Sequence, residues 1–210
     1  MTAGGTAIEA LVTTFKAAWR AGLASNPEAA PHLRATLARL EAASGSVAPA
    51  PVRQPVTRFV APASKLSSHP ESAALAAATR AAEGALAWHP AYPQLAGDPR
   101  YADFLAGYSY ADVAGPRGPF VTPDMAAFLT VQAPGVTYPA HAHPAFEVYY
   151  IIAGRAEWKR GGEDWRFREP GTFIVHLSGQ AHAMRTGAEP LLAAAVWLDH
   201  LDGPSVMVEP

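Results

Sequence analysis

The feature that most constrains this chain is a change of sequence character halfway along it. Residues 1–112 are rich in alanine and carry helical apolar spacing. Residues 120–200 are richer in β-branched and aromatic residues, broken at short intervals by Gly and Pro. A helix buries a stripe of period 3.6, whereas a strand alternates with period 2. The two halves therefore cannot share one architecture. Ile8, Leu11, Val12, Phe15, Trp19 and Leu23 recur at three- and four-residue steps, which predicts a helix over about 6–23. Asn26-Pro27 opens a second, running to about Ala43. Residues 44–55 hold three prolines among small residues and read as a linker. A third helix is expected over 70–88, capped by Ser68 and stopped by His89-Pro90. Residues 90–119 read as a loop-rich connector, and its many tyrosines suggest packing over a neighbouring surface.

Strand signals follow at 125–132, 147–152, 155–160, 164–168, 172–176, 181–185 and 191–198, with Gly or Pro between or at the ends of them. Many short strands with turn residues argue for a sandwich or barrel. The expected organisation is a helical N-terminal extension over 1–112 packing on a β-barrel domain over 113–210.

Composition excludes several functions. The 210 residues contain no cysteine, so disulfides, thiolate metal sites and cysteine nucleophiles are absent. The formal charge is −2 with no basic run, which disfavours nucleic acid and anionic membrane as partners. No apolar run approaches the roughly 20 residues that span a bilayer. Without a convincing signal peptide, the expected location is the cytoplasm.

The chemistry concentrates in one segment. His141 and His143 sit two residues apart, and Glu147 and Tyr149 repeat that spacing. Side chains two apart on a strand face one side, so each pair can point into a common cavity. Imidazole and carboxylate hold borderline divalent metals where thiolate is absent. His182 could add a ligand from a facing strand. His176 competes with it, and a turn at Ser178-Gly179 prevents parity from deciding between them. Within the His-x-His pair, His141 is the member that could instead sit behind the ligands. Tyr138 lies three residues before His141.

These residues carry a resemblance. Gly135, His141, His143, Glu147 and Gly154 meet every fixed position of the first signature of the cupin superfamily. Gly171, Gly179 and His182 meet the second, in which Leu177 replaces a proline and Thr186 an asparagine. The resemblance implies a mainly β fold: a C-terminal cupin β-barrel, or double-stranded β-helix, preceded by N-terminal α-helices. A narrower likeness follows from Tyr138, Pro139, His141, His143, Ala145, Glu147, Tyr149, Gly154, Ala156 and Trp158, together with Gly115 to Pro119. That pattern resembles the cupin-type dimethylsulfoniopropionate (DMSP) lyases. It implies a carbon–sulfur lyase that releases dimethyl sulfide and acrylate by β-elimination. One divalent metal ion (zinc, iron or manganese) would be held by His141, His143, Glu147 and His182. Tyr149 is the first candidate for the base and Tyr138 the second. Trp197 and Tyr108 are candidates for holding the cationic end of a small-molecule substrate. A homodimer is the candidate assembly. The alternatives are a cupin oxygenase using non-haem iron, or a non-catalytic cupin that binds a small molecule.

Overall fold

The computed structural model describes residues 3–46 and 49–208; Val47 and Ala48 of the expected linker lie outside the described residues. The helices are α1 (Ala3–Ser25), α2 (Ala30–Ala42), α3 (Val60–Ala63), α4 (Pro70–Ala82) and α5 (Ala102–Gly107). The strands are β1 (Ser44–Ser46), β2 (Trp88–Pro90), β3 (Tyr108–Ala114), β4 (Phe120–Val121), β5 (Ala126–Gln132), β6 (Thr137–Ala142), β7 (Glu147–Ala153), β8 (Ala156–Arg160), β9 (Arg166–Arg168), β10 (Phe173–His176), β11 (His182–Thr186), β12 (Leu191–Trp197) and β13 (Val206–Met207). Among the described residues they form two sheets. The larger runs β1-β4-β3-β5-β12-β7-β10 with β2 beside β3, and the smaller runs β13-β6-β11-β8-β9. All ladders are antiparallel except β3 with β4. This is the expected mainly β architecture with helices ahead of it.

Two apolar layers explain where the site sits. Every residue of β7 is buried, because that strand is covered on both faces. Val148, Tyr150 and Ile152 face outward into one core with Leu11, Phe15 and Trp19 of α1. Tyr149 and Ile151 face inward, into a second core with Trp158, Ile174 and Met184. β12 alternates likewise: Leu192, Ala194 and Val196 join the outer core, and Leu191, Ala193 and Ala195 the inner one. The helices thus cover the outside of the larger sheet. Trp19 stacks on Phe15 at 3.8 Å and meets Phe173 edge-on at 5.3 Å. Gly22 permits that approach, because a Cβ there would fall 2.4 Å from the Phe173 ring.

Several local expectations need correction. α4 ends at Ala82 and continues only as a 3-10 turn over Glu83–Ala85. Its N-cap is His69 with no side-chain cap bond, so Ser68 does not cap it. The linker region contributes β1 and a backbone bridge between Val52 and Ala87. The aromatic connector is not mainly loop: it supplies α5 and β3, and β3 pairs along most of β5. That strand straddles residues 112 and 113, so a barrel strand crosses the expected division of the chain. His141 lies on β6, which carried no strand signal because Pro139 interrupts it, while His143 falls one residue beyond its end.

Candidate metal centre and active site

The inner ends of β6, β7, β10 and β11 bring five titratable side chains together. His141, His143, Glu147, His176 and His182 are all buried. β11 lies against β6 with His182 opposite His141, and β10 lies against β7 with His176 opposite Glu147. Gly154 closes the β7–β8 turn with φ +74, and a Cβ there would strike the Pro190 carbonyl.

Three of the histidines share one arrangement. His141 donates Nδ1–H to the Pro139 carbonyl at 3.0 Å, His143 to Ala145 at 3.0 Å, and His182 to Gln180 at 2.9 Å. Each bond leaves Nε2 as the nitrogen with a free lone pair. The Nε2 atoms of His143 and His182 are buried and make no hydrogen bond. They nevertheless lie 3.3 and 3.2 Å from Oε2 of Glu147. Nitrogen and carboxylate atoms converging at such distances offer the donors that a cation site needs. The ligand atoms of His141, His143 and His182 fall within 4.8 Å of one another. These residues fit a single divalent metal ion with nitrogen and oxygen ligands.

His176 also lies within ligand distance of Glu147 and His182, but its surroundings are different. Trp158 donates its indole N–H to His176 Nε2 at 3.1 Å. An indole can only donate, so Nε2 must accept, and the imidazole proton sits on Nδ1. That Nδ1–H points at Glu147 Oε2, 2.9 Å away. Both ring nitrogens are spent, and His176 fixes the carboxylate. Burial, with His182 adding to it, lowers the His176 pKa to about 3 against the raising effect of Glu147. Trp197 completes the hold on Glu147 by donating its indole N–H to Oε1 at 2.8 Å. Burial alone would raise the Glu147 carboxyl, but its contacts with His143, His176 and His182 hold it well below the ordinary range. His141 is pushed well below the usual imidazole value by burial and by His182.

Beside this cluster is a cavity of about 240 Å³. Its lining includes His141, His143, Glu147, Tyr149, Tyr138, Tyr108 and Trp197. Every residue singled out from the sequence therefore lies at or beside one space, with His182 behind it against His141. Tyr138 stacks on the His141 ring at 4.0 Å and bonds to the Tyr92 hydroxyl at 2.8 Å. Tyr149 hydrogen-bonds to Tyr108. Burial and the neighbouring phenols push Tyr138 well above its ordinary value; for Tyr149, burial, Tyr108 and the Glu147 charge do so.

The sequence did not reveal the roles of three contributors. Tyr92 adopts a left-handed backbone (φ 47) and bridges Tyr138 and Ser205 through its hydroxyl. The tyrosine-rich connector was its only signal. His176 and Trp158 act together on Glu147 through strands 18 residues apart in the chain, a relation that no local spacing encodes.

Known proteins share this fold. Residues 29–193 match the family model described as dimethylsulfoniopropionate lyase. The chain is 36% identical over 163 residues to the dimethylsulfoniopropionate lyase DddQ of Ruegeria pomeroyi, covering 75% of this chain and 80% of that one. It is 29% identical over 148 residues to the putative lyase DddL of Cereibacter sphaeroides, covering 70% of this chain and 60% of that protein. The crystal structure of Ruegeria pomeroyi DddQ superposes with a TM-score of 0.80 at 30% identity, over 98% of both chains. With a helical layer over a cupin barrel and a family match across most of its length, the chain belongs to the dimethylsulfoniopropionate lyase family.

Proposed function

We propose that this protein is a metal-dependent lyase that cleaves dimethylsulfoniopropionate to dimethyl sulfide and acrylate. The observation that carries the reading is the set of three buried histidines. Each turns Nδ1 to a backbone carbonyl and Nε2 toward a common point beside Glu147. In this reading His141, His143, Glu147 and His182 hold one divalent ion, with zinc, iron and manganese all compatible with the donors. When bound, the ion would take the substrate carboxylate and offset negative charge on the adjacent carbon and on a nearby phenolate.

Tyr149 acts as the base. It lies two residues after Glu147 on β7, and both side chains reach the same cavity. The phenolate oxygen takes the proton from the carbon next to the carboxylate. The freed electron pair forms the carbon–carbon double bond, and the carbon–sulfur bond breaks with its electrons going to sulfur. Neutral dimethyl sulfide leaves, acrylate remains, and Tyr149 carries the proton at its hydroxyl. Tyr108, hydrogen-bonded to Tyr149, holds that hydroxyl in place. Tyr138, stacked on His141, orients the imidazole and is the alternative base. No described helix is long and apolar enough to cross a membrane; a cytoplasmic homodimer is the working assembly that goes with this reading.

The test is direct. Metal-loaded protein incubated anaerobically with dimethylsulfoniopropionate should release dimethyl sulfide into the headspace and acrylate in equal amount. A requirement for oxygen, or no release with any of the three metals, would refute the lyase reading.

A further inference from the structure

The cavity holds one acidic side chain besides Glu147, and nothing in the histidine cluster uses it. Tyr108, Tyr110 and Asp112 alternate along β3 and all line the cavity. Asp112 is half-buried, and its carboxylate makes no hydrogen bond or ion pair with any described residue. A carboxylate so placed keeps its acceptor capacity for something else. Its register partner on β5 is Phe128. Phe128 meets Tyr110 edge-on at 6.0 Å on one side and Trp197 at 6.0 Å on the other. An unpartnered carboxylate lining the same cavity as a row of three aromatic rings is the chemistry that receives an organic cation. Trp197 joins the two ends of the cavity, because its indole N–H holds Glu147 while its ring meets Phe128.

We propose that Asp112, with Tyr110, Phe128 and Trp197, forms the subsite for the cationic sulfonium end of the substrate, and that this carboxylate sets a preference for onium over neutral carboxylates. The inference rests on the lyase reading for the identity of that cation. The other charged groups near Asp112 are Arg117 and His89. Arg117 is exposed on the loop after β3, makes no ion pair with Asp112, and also borders the cavity. Burial pushes the Asp112 carboxyl up, and Arg117 and His89 pull it back, so a cation seated in the cavity would favour its charged form.

The test uses full-length, metal-loaded protein and two ligands of one shape: dimethylsulfoniopropionate and 4-methylpentanoate, in which carbon replaces the charged sulfur. Calorimetry should show wild type binding the sulfonium compound more tightly. Asp112→Asn should raise Kd and KM for dimethylsulfoniopropionate about tenfold or more, with kcat changed much less, and leave the neutral ligand within about twofold. Arg117→Ala should leave KM unchanged or lower it. Equal weakening of both ligands in Asp112→Asn would mean a structural role and overturn the proposal, as would an unchanged charge preference. Matching effects of Asp112→Asn and Arg117→Ala would overturn it too, by making Asp112 a tether for the loop. A wild type that releases no dimethyl sulfide would defeat the lyase reading alone, and the calorimetric preference would still decide the role of Asp112.

Discussion

His176 donates its Nδ1 proton to Glu147 Oε2 at 2.9 Å because Trp158 occupies its other nitrogen at 3.1 Å. The pair fixes which carboxylate oxygen faces the free imidazole nitrogens of His143 and His182. Removing Trp158 N–H frees the His176 tautomer and loosens that orientation. His176→Ala and Trp158→Phe should each weaken metal binding about 10–100-fold without abolishing it. A competition titration with a chelating dye reads this, and an affinity equal to wild type in both variants would remove the positioning role.

The ligands themselves should behave differently. His143→Ala, Glu147→Ala and His182→Ala should each lose stoichiometric metal in elemental analysis. His141→Ala should join them, since its Nε2 lies in the same cluster as those of His143 and His182. Retained metal in His141→Ala alone would make it a supporting residue. Retention in all four would dismiss the site. Removing metal from the wild type with a chelator should raise the solvent sensitivity of the cluster and lower the melting temperature, because a bound ion stabilises only the folded chain.

How much of this was legible follows from what local sequence encodes. The strands from β7 through β12 were readable because turn residues punctuate them and each has a side to bury. β6 was not, since Pro139 and His141 break its pattern, and its place is set by pairing with β11 across more than 40 residues. β3 hid in the connector: its alternation of Tyr108, Tyr110 and Asp112 with Ser109 and Ala111 is weakly apolar, and only the finished barrel shows that its tyrosines point inward. The His-x-His spacing marked the ligands even though His143 lies beyond the strand. The role of His176 could not be read at all, because it depends on a tryptophan from another strand.

The helical layer makes a prediction about stability. Trp19 is fully buried between Phe15, Tyr150 and Phe173. Trp19→Ala should destabilise the chain by about 3–5 kcal/mol, as large-to-small changes in packed cores do. Chemical denaturation measures it, and a loss under about 1 kcal/mol would mean that α1 is only loosely docked. A chain starting near residue 115 would lose β3, Tyr92 and Tyr108 as well as the helices, so it should fail to stay soluble.

Tyr149 and Tyr138 line the same cavity in different surroundings. Tyr149 shares β7 with Glu147, and its hydroxyl meets Tyr108 in the cavity. Tyr138 stacks flat on His141 and gives its hydroxyl to the Tyr92–Ser205 chain. In both, burial holds the proton on, so whichever is the base depends on positive charge in the site to release it. Tyr149 stands beside Glu147 on the strand, whereas Tyr138 is already bonded into a network of neutral hydroxyls. Tyr149→Phe should therefore lower kcat by about 10²-fold or more, the usual contribution of a positioned acid–base group, with metal content intact and substrate affinity changed little. Tyr138→Phe should act mainly through the His141 orientation and cost less. If Tyr138→Phe is instead the dead variant while Tyr149→Phe keeps most of its rate, the proton passes to Tyr138, with Tyr92 and Ser205 behind it. Near-wild-type turnover in both single variants would remove the tyrosine mechanism and leave Glu147 as the next residue to test.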